Sequence, residues 1–357
     1  MTKHIIVIFT LFISLNGYSQ DPNFSQFYNI PVYYNPAMNA MGNGLTITSH
    51  NRMLWSKIPD HLNTYIIAVE IESIGPFNLG GLFMSNTEGQ ANLKTNAGYF
   101  NFSYTPVDRN GKFNHKLQIG SSIGFLNKTI NSNNFVFSDQ LDEVYGKVHS
   151  SSFENNTNSF FTLDMKFGLA DRWSNKFKLK DKIFEHILTY GVSVTNFPFS
   201  RENFIYPEFE NVKKLTIHTD YEFKYGSNKV YTASFIFENQ KPFQTFTFGI
   251  NTRLPINQSA NNHKLSFGTY YRSRLNSKIK NYDAIILTLG YDRFYEKNKP
   301  KFKIYYSYDL TTSQLNNKYS GGSHELSLQV KFDNLIFLKA KASKNFKQRM
   351  HKCPSDL

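Results

Sequence analysis

From about residue 45 to about residue 340 the chain alternates apolar and polar residues with a period of two, and helical periodicity is hard to find. Across Glu325 to Phe332, the residues Leu326, Leu328, Val330 and Phe332 face one way, and Glu325, Ser327, Gln329 and Lys331 the other. Phe302, Ile304, Tyr306 and Tyr308 alternate with Lys303, Tyr305, Ser307 and Asp309 in the same manner. In a third segment Phe161, Leu163, Met165, Phe167 and Leu169 share one face, while Thr162, Asp164, Lys166 and Gly168 share the other. A barrel with Asp and Lys inside and apolar residues outside is inverted relative to a soluble one, and its outer face requires lipid.

This rule gives roughly fourteen strands, at about 45–55, 63–71, 79–85, 93–105, 115–127, 160–170, 187–196, 214–225, 229–238, 243–254, 264–274, 283–294, 301–310 and 324–333. An even number suits a transmembrane antiparallel β-barrel, and closure is required because an open edge in hydrocarbon leaves backbone groups unpaired. The expected fold class is therefore all-β. If the first strand runs outward, the odd-numbered connections lie at the cell surface and should be the longer set. The long stretches 128–159, 197–213 and 311–323 fall on that side, and the short turns at 226–228 and 296–300 on the other. One even stretch, 171–186, is long and basic, which leaves room for a miscounted strand pair there.

The chain opens with Lys3, an apolar run from Ile5 to Leu15 and small residues at Gly17 and Ser19, the pattern of a signal peptide over residues 1–19 with cleavage near Ser19/Gln20. The run is too short to span a bilayer comfortably as a helix, and no longer apolar run follows. The expected organisation is that leader, an N-terminal segment at 20–44, a barrel at 45–340 and a periplasmic tail at 341–357. The only cysteine, Cys353, excludes both an N-terminal lipid anchor and an intrachain disulfide.

Aromatic residues make up 16% of the chain, yet its mean hydropathy is −0.44, as alternating faces require. The net charge of +13 would suit nucleic acid, which an exported chain rarely meets. It suits an acidic partner or anionic lipopolysaccharide better. The basic runs at 176–182, 272–280 and 297–303 read as solvated turns.

Enzyme signatures are thin, and neither a catalytic role nor a cofactor is expected. There is no P-loop, H-E-x-x-H or C-x-x-C. Asp139, Asp142 and Glu143 gather oxygen ligands in one loop without the Gly and alternating acids of an EF-hand, so a solvated loop is the simpler reading.

The stretch "DPNFSQFYNIPVYYNPAMNA" at 21–40 cannot be a central strand, because Pro31 and Pro36 each remove a ladder donor. It precedes the barrel, and Phe24, Phe27, Tyr28, Tyr33 and Tyr34 call for burial, which a position inside the lumen would provide.

The same stretch resembles the opening of the PorP/SprF family of type IX secretion outer-membrane proteins, through Asp21, Pro22, Phe24, Ser25, Gln26, Asn35 and Pro36. Further matches follow in order: "NRMLW" with Arg52 and Trp55, "FSDQLD" with Asp139 and Gln140, "YYSYDLTTSQL", "GGSHELSL" with Ser323, His324 and Glu325, and a closing Cys-Pro at 353 and 354. The chain departs from the pattern at Phe27, at Ile30-Pro31 and at Met38-Asn39-Ala40.

The resemblance implies a barrel similar to the fatty-acid-transporter type, without a catalytic role, that works with the type IX secretion machinery. It further implies that the barrel receives the C-terminal domain of a large secreted surface protein such as an adhesin, in some bacteria for gliding. A broad docking surface would then come from the loops, with Phe199, Phe204 and Tyr206 as anchors. The alternative is a channel for small or hydrophobic solutes, with residues 20–44 as its hatch.

Overall fold

In the computed structural model, the described residues are 21–42, 44–72, 76–89, 93–109, 114–131, 140–142, 144–148, 157–179, 182–198, 213–226, 229–256, 263–275, 282–294, 300–313 and 315–332. The leader at 1–19, the tail at 341–357 with Cys353, and Asp139, Phe199, Phe204 and Tyr206 lie outside them.

The strands in chain order are β1 (Leu45–Leu54), β2 (Leu62–Glu72), β3 (Phe77–Glu88), β4 (Leu93–Arg109), β5 (Asn114–Asn131), β6 (Leu141–Asp142), β7 (Gly146–Lys147), β8 (Thr157–Leu179), β9 (Lys182–Pro198), β10 (Lys214–Tyr225), β11 (Lys229–Gln240), β12 (Phe243–Pro255), β13 (His263–Leu275), β14 (Tyr282–Arg293), β15 (Lys301–Thr311) and β16 (Ser323–Phe332). All but β6 and β7 form one closed barrel of fourteen strands, each antiparallel to its chain neighbour. β6 and β7 make a small separate hairpin in the fifth connection. The barrel closes where β1 meets β16, in a register that runs from Leu45↔Phe332 to Leu54↔Ser323. Closure leaves no sheet edge unpaired in the hydrocarbon.

The inside-out pattern holds on every segment that suggested it. Phe161, Leu163, Phe167 and Leu169 are exposed on β8, whereas Thr162, Asp164 and Lys166 are buried. On β16, Leu326 and Leu328 are exposed, and Glu325 and Ser327 are buried. A strand of β1's length, 10 residues, matches the ~9–11 that a tilted strand needs to cross.

The stretch 171–186 holds no extra strand pair. It is the end of β8 and the start of β9, which pair down to Leu179↔Lys182. β8 is 23 residues long and outruns β5, whose pairing with it stops at Asn114↔Ser174. The hairpin thus projects beyond its neighbour, where the outer face is no longer uniformly apolar.

The basic runs at 176–182, 272–280 and 297–303 are also corrected in part. Lys176, Arg272, Lys301 and Lys303 belong to strands and stand on their lumenal faces, and Arg272 is buried and ion-paired. A cation on an inner face of this barrel can meet lumenal carboxylates, which a turn would not offer it.

Candidate functional site

Residues 21–42 lie inside the barrel. They fold into two 3-10 turns, Phe27–Asn29 and Pro36–Met38, around one helical turn, Pro31–Tyr34. Pro31 and Pro36 each sit at the start of a turn, where a missing N–H costs nothing. Asn35 caps the last turn by accepting from the Ala37 amide at 2.9 Å.

The aromatic residues make the plug's own core. Phe24 packs edge-on against Tyr33 at 5.1 Å and against His50 of β1 at 5.0 Å. Tyr33 meets Tyr34 at 4.9 Å, and the Tyr34 hydroxyl accepts from the Phe24 amide at 2.8 Å. Tyr28 stacks on Tyr270 of β13 at 5.3 Å. Such contacts contribute about 0.5–1.5 kcal/mol each beyond the area they bury.

The plug is fastened to the wall in three places. At the first, the Ser25 and Gln26 amides donate to the two oxygens of the Glu325 carboxylate, at 2.7 and 2.9 Å. The Ser25 hydroxyl donates to Asp309 Oδ2 at 2.6 Å and accepts from Arg52 at 2.9 Å and from Arg272 at 3.0 Å. Arg52 pairs with Glu325 and, at 3.1 Å, with Asp309. Arg272 pairs with Asp309 at 2.9 Å and Asp283 at 2.5 Å. The Gln26 side chain donates to Ser307 Oγ and to the Glu325 carbonyl, both at 3.1 Å. Buried charges persist only when paired and hydrogen-bonded, and this cluster joins five strands to two plug residues.

At the second place, Asn35 Nδ2 donates to the Leu169 carbonyl at 3.1 Å and lies 3.0 Å from His218 Nε2. The Tyr34 carbonyl accepts from Ser193 Oγ at 2.5 Å. Here the wall is cut back to glycine: a Cβ at Gly120 would overlap the Pro36–Ala37 backbone, and one at Gly168 would overlap the Asn35 side chain. At the third, the Asn39 carbonyl accepts from Gln118 Nε2 at 2.6 Å and from Ser103 Oγ at 3.2 Å, and the Ala40 amide donates to Glu70 at 2.8 Å. Nearer the start of the plug, Asp21 takes Asn196 Nδ2 at 2.9 Å, and the Pro22 carbonyl accepts from Tyr33 at 2.8 Å.

Of the motif residues read from sequence, Asp21, Pro22, Phe24, Ser25, Gln26, Asn35, Pro36, Arg52 and Glu325 come together in this plug and its seat. Ser323 is buried on the same lumenal face of β16 as Glu325. Two others do not join. Trp55 begins the first connection, where its amide donates to the Gly322 carbonyl at 2.8 Å and links the first loop to the thirteenth. His324 faces outward, its Nδ1 2.7 Å from the Tyr306 hydroxyl. Gln140 is buried. Asp142 accepts from the Val144 and Tyr145 amides at 2.8 and 2.9 Å, and these bonds, led by that of Tyr145, hold its carboxyl below the usual carboxylate range. Among the described residues no group of His, Cys, Asp and Glu is arranged to hold a metal ion.

Sequence reasoning missed Asp309, Arg272 and Asp283 as part of the seat, along with Gln118 and the wall glycines. For Arg272, Asp309, Gln118 and the wall glycines the available signal was parity, since they stand on the inner faces of their strands among apolar outer neighbours. Asp283 reaches the seat through the bulge opposite Arg272 and Ser273, which alternation does not reveal.

A barrel with a lipid-facing exterior and a polar lumen filled by its own N-terminal segment is a plugged outer-membrane β-barrel. The chain belongs to the PorP/SprF family of type IX secretion system membrane proteins, whose family model matches residues 16–330. No curated protein matches it. Among solved structures it is similar to a TodX deltaS2S3 mutant monoaromatic hydrocarbon channel, at 11% identity over 85% of this chain and 92% of that one, with a TM-score of 0.44. It is also similar to the CymD monoaromatic hydrocarbon channel, at 10% identity over 85% and 92%, TM-score 0.43. A Pseudomonas aeruginosa FadL homologue matches at 11% identity over 84% and 92%, TM-score 0.39. Likeness at such identity is one of fold alone.

Proposed function

We propose that this type IX secretion component serves in the secretion and cell-surface attachment of a large partner protein such as an adhesin, with gliding motility as one outcome where the organism glides. The barrel presents a docking surface and performs no catalysis. What supports this reading is the occupied lumen: a segment fastened to strands all around the barrel suits a holding role better than steady conduction of solute. The partner's C-terminal domain would meet the cell-surface loops, and the basic balance would steer an acidic partner or rest against lipopolysaccharide. The first 19 residues act as an export signal removed near Ser19/Gln20.

The test is deletion of the gene followed by surface proteomics. The attachment reading expects a large secreted protein to leave the cell surface for the medium or to be retained inside. Intact surface display with reduced uptake of a solute would favour the channel instead.

A further inference from the structure

Beyond the plug, the lumen holds a second feature, at the end where the even-numbered connections lie. A cavity of about 130 Å³ opens there between β9, β10, β11, β12 and β13, well above the ~10–15 Å³ that one water needs. Its lining carries two carboxylates, Glu185 and Glu222, and four cations, Lys224, Lys229, Arg253 and Lys264. The cavity therefore has an excess of two positive charges before its surroundings are counted.

The carboxylates are already engaged. Glu222 binds Arg253 and lies 3.5 Å from Lys224. Glu185 lies 3.1 Å from Lys224 and 3.5 Å from Lys176, a further cation. On the same lumenal face the buried Asp292 stands in register with Lys264 on one side and Lys303 on the other and lies 3.9 Å from Arg253, so one carboxylate serves three cations there. Lys264 and Lys301 flank the ring of Phe294, at 5.3 and 5.9 Å from its centre. Crowded cations in a partly enclosed space repel one another, and an oxyanion between them would relieve that repulsion and accept their N–H donors.

We infer that this cavity is a binding site for a phosphate-type oxyanion, with Lys224, Lys264 and Arg253 as its donors and Lys229 at its mouth. The ligand is either free phosphate or the phosphate of a lipid headgroup from the adjacent leaflet. The inference goes beyond the attachment reading and is tested apart from it.

The test uses the purified full-length barrel in detergent, with inorganic phosphate and glycerol 3-phosphate as separate titrants, followed by calorimetry. Saturable binding of inorganic phosphate identifies a free-oxyanion site, and binding of glycerol 3-phosphate alone identifies a headgroup site. Either should weaken about tenfold or more in the Lys229→Gln/Lys264→Gln variant, which leaves the Glu185 and Glu222 ion pairs in place. Retention of heat-modifiable migration in SDS shows that the variant is folded, and Lys264→Gln alone serves if the pair is not. Absence of saturable binding by either titrant, or equal binding by the wild type and the folded variant, overturns the site.

Discussion

The main-chain amide of Ser25 donates a 2.7 Å hydrogen bond to Glu325, a residue 300 positions away in the chain. Glu325 stands opposite Arg52 in the register that closes the barrel, so one carboxylate serves both the β1–β16 seam and the plug. Barrel closure and plug seating therefore share a side chain, and damage to one should be felt by the other.

Glu325→Gln keeps the shape but removes the charge that balances Arg52. Breaking a buried pair from one side costs about 3–5 kcal/mol, and Asp309 remains to soften the loss, so a value near the lower end is expected. The measurement is the temperature at which the folded band is lost in SDS gels, which should fall clearly. An unchanged transition would mean that the seam does not depend on this pair.

Gly120→Val suits a strand, yet its side chain would occupy the space of the Pro36–Ala37 backbone. The barrel should still assemble while residues 21–42 are displaced. Limited proteolysis from the N-terminal side should then cleave this segment, which the wild type protects. Equal protection in both proteins would place the plug elsewhere.

Ile250 points outward at 65% exposure on β12, and its neighbour Asn251 is buried on the inner face. Ile250→Arg should cost about 2–4 kcal/mol if the position lies near the bilayer midplane. Refolding into lipid vesicles under a denaturant series measures it. A neutral effect would deny that this face meets lipid.

Much of this architecture is legible in the sequence because strand parity and lipid exposure reinforce each other. Leu326 and Leu328 face out and Glu325 and Ser327 face in, and no soluble arrangement accepts that choice. The reading falters at 171–186, where the outer face of β8 runs Asp171, Trp173, Asn175, Phe177. A strand that leaves the hydrocarbon loses the apolar outer face that identifies it.

The seat was only half legible, for a different reason. Ser25, Arg52 and Glu325 stand in recognisable motifs, but Arg272 lies in a run that reads as a solvated turn. Nothing local marks its pairing with Asp309, 37 positions away, because the two meet only when β13 and β15 pair on either side of β14. Wall glycines such as Gly168 are equally mute, since their role appears only when Asn35 is placed against them.

The central claim, that residues 21–42 close the lumen, is tested most directly by electrical recording from the purified full-length barrel in a planar bilayer. The account predicts a silent wild-type protein and discrete conductance steps for Gly120→Val. Steady ohmic conductance by the wild type, equal to that of the variant, would contradict it.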